Sequence, residues 1–228
     1  MTEEFTHDIY NKVFPKNNII NDQEINQLRK AGKIVSFKKK DVIFRQRTLT
    51  SHAMFQISGL VKLFKEGKNG RSFILKISTA GYFLGLASIF GASSFQYTAT
   101  AVEDCEIYFI DINTFKTVLN NNGKYATYLF SEICNDNLNV FNRITSQYQK
   151  QLPGKIADII LYFSEQIYNS NIFEFPLTRI ELAELAGTTK ESFIRTLTEF
   201  KNDKIIVLDG KSVEIKSIEI VKTLSRIG

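Results

Sequence analysis

The chain has 228 residues, of which 43% are hydrophobic, and a formal net charge of +5. This hydrophobic content excludes a disordered chain and is enough for two modest domains, each with its own core. The acidic, polar start is unlike a secretory signal, and no apolar run reaches the roughly 18 residues of a membrane span. We therefore expect a cytoplasmic protein without a membrane segment.

The positive charge indicates a polyanionic partner only in general terms. Residues 150–228 contain 11 Lys and Arg against 11 Asp and Glu, so the whole excess lies in residues 1–149. A nucleic-acid surface in the second half must therefore depend on locally placed side chains rather than on bulk charge. The two cysteines, Cys105 and Cys134, lack metal-ligand spacing, and we predict neither a disulfide nor a metal site.

The hydrophobic pattern of the N-terminal part of the sequence changes from helical to strand-like near residue 33. Residues 5–31 are predicted to be helical or partly helical, with an apolar set formed by Ile9, Val13, Ile20, Ile25 and Leu28. From there to residue 111, short apolar stretches alternate with glycine-containing turns, which is typical of a β-sandwich or barrel. The predicted strands are Ile34–Phe37, Val42–Phe44, Ala53–Ile57, Leu60–Phe64, Phe73–Ile77, Tyr97–Val102 and Ile107–Ile110.

A short helix is predicted at Asn113–Asn121 and a long one at Lys124–Gln149. Apolar positions of the long helix follow the 3-4-3-4 spacing of a coiled-coil seam, in which one Asn would fix the register. A helix packed only on its own domain is the alternative, but a second apolar line (Leu129, Leu138, Phe141 and Tyr148) favours packing on both its own domain and a second copy. The seam comprises Phe130, Ile133, Asn137, Val140 and Ile144.

Pro153 and Gly154 end the long helix and mark the best domain boundary. The predicted divisions are a domain at 1–121, a dimerisation helix at 122–150 and a domain at 151–228. The last part contains a helix (Lys155–Tyr168), an extended segment (Glu174–Leu177), two short helices, and two strands (Lys204–Leu208 and Ser212–Lys216). Asp209-Gly210 between these strands is a strong hairpin signal. This order predicts a winged helix-turn-helix.

The two short helices carry the most informative residues. Thr178 and Glu181 form a capping box that starts the first helix, and Gly187 is suited to the sharp turn after it. Phe193 and Leu197 anchor the second helix to the core. That spacing leaves Lys190, Glu191, Ile194 and Arg195 facing outward.

The outward residue types match the chemistry of a DNA major groove. Arg and Lys can donate to guanine O6 and N7, and Glu can accept from cytosine N4, so we predict base readout by Lys190, Glu191 and Arg195. Two alternatives remain open: surface cations are often merely solvated, and Glu191 can form a second capping box with Thr188. The residues predicted to contact the DNA backbone are Thr178, Arg179, Thr189, Ser192 and Lys211.

Over nearly its whole length, and most closely from Leu177 to Arg195 and at the wing 209–211, the chain resembles the CRP/FNR transcription regulators. The resemblance implies an α+β fold: an N-terminal antiparallel, jelly-roll-like β-roll that resembles cyclic-nucleotide-binding domains, a long dimerisation helix and a C-terminal winged helix-turn-helix. It also implies a homodimer on a near-palindromic DNA site, with RNA polymerase as a partner. Glu191 and Arg195 fall where the family reads a TGNNA-like half-site, and Lys190 stands where the cyclic AMP receptor has Arg.

The sensor half departs from the cyclic-nucleotide pattern that the resemblance implies. Gly85 is followed by Leu86 instead of Glu, Phe95-Gln96 stand in place of Arg-Ser, and Val140-Phe141 replace the polar pair on the helix. Without a cation, a buried cyclic phosphate would be costly. We expect an effector other than cyclic AMP, either lipid-like or aromatic, or a filled core. The pocket residues so identified are Phe83, Gly85, Leu86, Phe95, Gln96, Tyr97, Val140 and Phe141.

The sequence thus predicts a sequence-specific, double-stranded-DNA-binding transcription regulator. Two cysteines are too few for an iron–sulfur cluster, and with His7 and His52 as the only histidines we predict no haem, cofactor or enzymatic activity. Two alternatives belong to other classes: a cyclic-nucleotide-responsive activator, and a signalling adaptor on the same fold that does not bind DNA.

Overall fold

The computed structural model describes residues 19–67 and 72–228. These residues divide into two compact units, one drawn from Met1–Glu66 and Lys76–Leu138 and the other from Gly67–Leu75 and Asn139–Gly228. Of the helix predicted for residues 5–31, Ile9 and Val13 lie outside the described residues, and the last part forms α1 (Asp22–Lys30). Helix α1 starts with a capping box between Asn21 and Glu24.

The N-terminal unit is built on two four-stranded sheets. One has the order β1-β8-β3-β6 and the other β2-β7-β4-β5. The β1–β8, β3–β8 and β4–β7 ladders are antiparallel, as predicted for a β-roll. The strands are β1 (Gly32–Phe37), β2 (Val42–Phe44), β3 (His52–Ser58), β4 (Val61–Glu66), β5 (Ser72–Ser78), β6 (Phe83–Leu84), β7 (Thr98–Ala101) and β8 (Cys105–Asp111).

Helices close one side of the roll over an apolar cluster. The cluster joins Phe55 and Ile110 of the first sheet to Phe115 of α3 (Ile112–Asn121) and Leu129 of α4 (Gly123–Gln149). Burying a side chain of this size stabilises the folded state by about 1.5–3 kcal/mol, so the cluster contributes to the stability of the unit. The sequence prediction did not include β6 or the short helix α2 (Leu86–Gly91).

The predicted break at Pro153 and Gly154 separates α4 from the helices that follow it. Gln151 is the N-cap of α5 (Leu152–Leu161), and Pro153 lies in its first turn, where the missing N–H costs nothing. The chain continues through a π-helical segment (Tyr162–Tyr168), so the predicted helix Lys155–Tyr168 starts earlier and changes type near its middle. The remaining elements are β9 (Ile172–Glu174), α6 (Arg179–Ala186), α7 (Lys190–Asn202), β10 (Ile206–Asp209), β11 (Ser212–Ile215) and α8 (Ile218–Ile227).

A last helix, α8, was absent from the sequence prediction. It packs on α5, where Gly154 lies so close to Gly228 that an added Cβ would come within 2.8 Å of its carbonyl carbon. The predicted α+β class is confirmed: antiparallel sheets in the N-terminal half, a long helix, and a helical C-terminal half with a small sheet. No helix among the described residues is long and apolar enough to cross a membrane.

Candidate nucleic-acid interface

Helix α6 begins as the sequence predicts. The backbone N–H of Thr178 donates to Glu181 Oε2 at 2.8 Å, and the N–H of Glu181 donates to Thr178 Oγ1 at 3.3 Å. These two bonds satisfy N–H groups that the first turn of a helix leaves without partners. The capping box is confirmed, and it fixes where the first helix of the pair starts.

The turn between the two helices depends on one glycine. Gly187 ends α6 with φ 66°, a left-handed conformation that residues with a Cβ adopt only with strain. The N–H of Thr188 donates back to the carbonyl of Ala183 at 2.9 Å. Helix α7 is therefore capped by Thr189, whose side chain accepts from the N–H of Ser192 at 3.2 Å. The capping box predicted for Thr188 and Glu191 is wrong by one residue.

Helix α7 separates a buried face from an exposed one. Phe193, Leu197 and Phe200 are at most 4% exposed and hold the helix against the core. Lys190, Glu191 and Arg195 are exposed together on the other side, at the N-terminal end of the helix. The Arg195 side chain is 71% exposed, and its ion pair among the described residues is with Glu199, with Nε 4.0 Å from Oε1. Because an exposed pair at this distance is weak, the guanidinium is free to form bidentate hydrogen bonds.

The wing is a three-stranded antiparallel sheet. Strands β10 and β11 pair from Ile206↔Ile215 to Asp209↔Ser212, which confirms the hairpin at Asp209-Gly210, and β9 pairs with the other side of β11. Gly210 has φ 54°, as the tight turn requires. Lys211 is exposed at the tip of the hairpin.

Four other residues were predicted to contact the DNA backbone, and the structure shows them in local bonds. The Thr178 hydroxyl donates to Glu181, and the Thr189 hydroxyl donates to that of Ser192 at 3.0 Å. Arg179 lies over the Phe175 ring and donates from Nη2 to the carbonyl of Gly210, which ties α6 to the wing turn. Its Nη1 is buried without a partner among the described residues, and burial lowers the pKa of Arg179.

One carboxylate joins three helices of the C-terminal unit. Asp158 of α5 accepts from Ser146 Oγ at 2.6 Å and Lys150 Nζ at 2.7 Å, both near the end of α4, and from Ser225 Oγ of α8 at 2.5 Å. Nearby, Gln147 of α4 donates to the carbonyl of Leu185 in α6 at 2.9 Å. These contacts, which sequence reasoning missed, fix the end of α4 to the helix-turn-helix.

Apolar side chains remain uncovered along α4. Phe130 is 65% exposed, Phe141 63% and Tyr148 88%, and Leu138 and Ile144 are also exposed. Among the other predicted seam residues, Ile133 and Val140 are partly buried and Asn137 is exposed. Large apolar groups repeated along one helix are the signature of a surface that a partner covers.

In the N-terminal unit, aromatic side chains fill the space at Gly85. Gly85, with φ 74°, precedes α2, and its N–H donates to the Tyr97 hydroxyl at 2.9 Å. A Cβ on Gly85 would lie 2.5 Å from the Phe95 ring, and that ring stacks on Phe44 at 3.9 Å between centroids. Burial raises the pKa of Tyr97, which therefore stays a neutral hydroxyl.

The other predicted pocket residues of the N-terminal unit have different surroundings. Phe83 packs on Phe55 in the core, and Leu86 is 5% exposed. Gln96 is exposed, and its side chain donates to the Ser94 carbonyl at 3.0 Å. Val140 and Phe141 belong to the C-terminal unit.

No cluster of cysteine, histidine and carboxylate ligands suited to a metal ion occurs in residues 19–67 and 72–228. Cys105 and Cys134 are both free thiols. Burial, together with the carboxylates of Asp104, Glu103 and others nearby, raises the pKa of Cys105 to about 11. Its thiol is therefore protonated and unreactive at neutral pH.

Two family models match the chain. A cyclic nucleotide-binding domain model matches residues 34–122, and a Crp-like helix-turn-helix domain model matches residues 154–223. The CRP-like cAMP-activated global transcriptional regulator of Mycobacterium tuberculosis is 23% identical over 189 residues, covering 81% of this chain and 84% of that protein. The transcriptional activator protein FnrA of Stutzerimonas stutzeri is 23% identical over 185 residues, covering 78% and 74%.

Solved structures share the fold. A putative transcriptional regulator of the CRP/FNR family from Eubacterium rectale has a TM-score of 0.78 at 19% identity and covers 94% of this chain and 99% of its own. FixK2 from Bradyrhizobium japonicum has a TM-score of 0.77 at 16% identity, with coverage of 85% and 96%. At such identities the likeness concerns the fold alone.

Proposed function

The chain belongs to the CRP/FNR family of DNA-binding transcription regulators, and on this premise we propose that it binds a near-palindromic DNA site as a homodimer. The observation that carries the proposal is the exposed face of α7, where Lys190, Glu191 and Arg195 lie together on a helix with a fully packed opposite side. Arg195 is the main base reader in this proposal, through guanine O6 and N7.

Backbone contacts in the proposal come from the residues around the two helix starts and the wing tip. The hydroxyls of Thr178, Thr189 and Ser192 and the ammonium of Lys211 are exposed or partly exposed and can hold phosphates, which position the protein without reading sequence. Arg179 contributes indirectly in this proposal. Its Nη2 already donates to the carbonyl of Gly210 in the wing turn, and this bond positions Lys211 for its phosphate contact.

The exposed apolar line of α4 supports the homodimer. Two copies of a helix that presents Phe130, Ile133, Val140 and Ile144 can bury these groups against each other, with Asn137 fixing the register. We propose that residues 122–150 act as the dimerisation element between a sensor domain at 1–121 and a DNA-binding domain at 151–228. Two recognition helices then read half-sites about 34 Å apart, and RNA polymerase is the proposed partner of the bound dimer.

Any small effector of this regulator is proposed to be something other than a cyclic nucleotide. A phosphate at the start of α2 would have to displace the Tyr97 hydroxyl from the Gly85 N–H and the Phe95 ring from its stack on Phe44. The contacts of Tyr97 and Phe95 therefore disfavour the cyclic-nucleotide-responsive alternative, even though the relative from M. tuberculosis is named as cAMP-activated.

Arg195→Ala tests the DNA-reading role directly. Against a duplex enriched by the protein from a randomised pool, we expect a loss of about 1–3 kcal/mol in binding and relaxed preference at one base pair of each half-site. Arg226→Ala removes an exposed cation from α8 and serves as the matched control. Equal affinity and preference in both variants would contradict the assignment.

The same binding assay distinguishes a regulator from an adaptor. Phosphate contacts release counterions, so affinity must fall steeply as salt rises. Absence of any salt-dependent DNA affinity would favour the adaptor.

A further inference from the structure

We propose that Ile194 is a specificity-determining residue that recognises the methyl group of one thymine in each half-site. This inference rests on the proposed function, because it requires α7 to lie in a major groove. It goes beyond the three polar base readers by assigning a separate, apolar contact to the same helix face.

Ile194 is exposed although the packing of its helix is complete. Its side chain is 38% exposed, whereas its neighbour Phe193 is fully buried and Leu197 is 1% exposed. Other residues therefore form the core face of α7. The Ile194 side chain lies on the exposed face that also carries Lys190 and Arg195. An apolar group is placed among the charged groups that would enter the groove.

The next turn of the helix extends this apolar strip. The hydroxyl of Thr198 donates to the carbonyl of Ile194 at 2.9 Å, so the methyl group is the part of that side chain left for an outside contact. Residues four apart on a helix are neighbours, and Lys190, Ile194 and Thr198 therefore follow one line along the exposed face. A ligand lying along α7 therefore contacts the Lys190 ammonium group first and then the apolar side chain of Ile194.

Thymine is the base best suited to contact an apolar side chain in the major groove. It alone among the four DNA bases presents a methyl group there, at C5, and apolar side chains contact it. Bringing the methyl group against Ile194 removes apolar surface of both from water. A cytosine at the same position carries hydrogen instead of a methyl group at C5 and cannot form this contact.

Replacing thymine by uracil tests the inference without touching the hydrogen-bonding edges. The probe is the duplex enriched by the wild-type protein, in which each dT is replaced in turn by dU, which lacks only the methyl group. For the wild type we expect one dU position per half-site to weaken binding about fourfold, the equivalent of roughly 0.8 kcal/mol for one methyl-sized group.

Substitutions of Ile194, combined with the dU replacements, form a double-mutant cycle between the protein and the DNA. Ile194→Ser should bind the dT duplex about fourfold more weakly and show no difference between dT and dU at that position. Ile194→Val should keep part of the discrimination. Ile220→Ser, at a 46% exposed isoleucine on α8, should behave as the wild type.

The outcomes separate this inference from the proposed function. An enriched duplex with no dU-sensitive position, or one whose dU sensitivity survives in Ile194→Ser, overturns the role of Ile194 alone. A selection that enriches no duplex overturns both. Sensitivity to dU in the wild type and its loss in Ile194→Ser, with Ile220→Ser unchanged, supports the assignment.

Discussion

At the scale of single residues, the side chains around Gly85 limit what can bind at the start of α2. Tyr97 takes the N–H of Gly85, and Phe95 occupies the space next to the glycine Cα. Both groups are well satisfied as they are: the hydroxyl has its hydrogen bond and the ring has its stack on Phe44. Opening this site would cost those contacts before any ligand bond formed.

Titration with cyclic AMP and cyclic GMP checks this view. We expect no binding heat at ligand concentrations up to about 1 mM, the range in which binding free energies fall to about 4 kcal/mol. The DNA affinity of the protein should likewise be unchanged by either nucleotide. Saturable micromolar binding would mean that Phe95 and Tyr97 move aside readily, contrary to the role assigned to them.

At the scale of elements, Asp158 connects the end of α4, α5 and α8. Its carboxylate accepts from two hydroxyls and one ammonium group, and these donors come from residues 12, 8 and 67 positions away in the chain. The side chains of Lys150 and Asp158 are 22% and 30% exposed, so solvent screens their attraction only in part. The carboxylate therefore contributes to the packing of α8 as well as to the position of α4.

Asp158→Asn retains the shape of the side chain and removes its charge. We expect a loss of about 1–2 kcal/mol in the free energy of unfolding, because the Lys150 ammonium group loses its charged partner. Urea denaturation measures this loss, and Ser225→Ala, which removes one donor only, should cost less. Equal unfolding midpoints for wild type and Asp158→Asn would show that the three helices are held by apolar packing alone.

The sequence predicted the elements whose signal is local and missed those that depend on distant contacts. The capping box at Thr178 and the hairpin at Asp209-Gly210 are each encoded within four residues, and both are confirmed. Helix α8 is stabilised by contact with α5, and its N-cap Ser217 makes no side-chain cap bond, so its start has little local signal.

The errors at the site have the same physical origin. Thr188 and Thr189 both suit a helix start, and the left-handed turn at Gly187 selects the second of them. The stack of Phe44 on Phe95 joins two residues far apart in the chain, which no periodicity can indicate. The sequence pattern does not indicate that Ser146, Lys150 and Ser225 contact Asp158, because only the tertiary fold brings them together.

At the scale of the whole molecule, the exposed apolar line of α4 makes the dimer the expected functional form. Phe130→Glu should abolish dimerisation, because this exposed seam residue would bring two carboxylates into an apolar interface, where they lose their water. Sedimentation equilibrium would then give the mass of one chain, and DNA affinity should fall towards that of a single half-site. Phe90→Glu, at a residue of α2 that is 51% exposed, is the control.

A monomeric wild type, or a dimer that survives Phe130→Glu, would contradict this interface. Loss of the dimer in Phe90→Glu as well would indicate a general effect of added charge.

The bond from Gln147 to the carbonyl of Leu185 has a consequence for how the protein can change during evolution. Val140 and Ile144 precede Gln147 on the same helix. The bond therefore fixes the direction in which these seam residues point relative to the helix-turn-helix. One residue inserted between Ile144 and Gln147 would turn the seam by about 100° around the helix axis, since α-helices have 3.6 residues per turn. In the proposed dimer, an insertion in this segment would therefore change how the two recognition helices are placed relative to each other, so reading half-sites of fixed spacing requires this length to be kept.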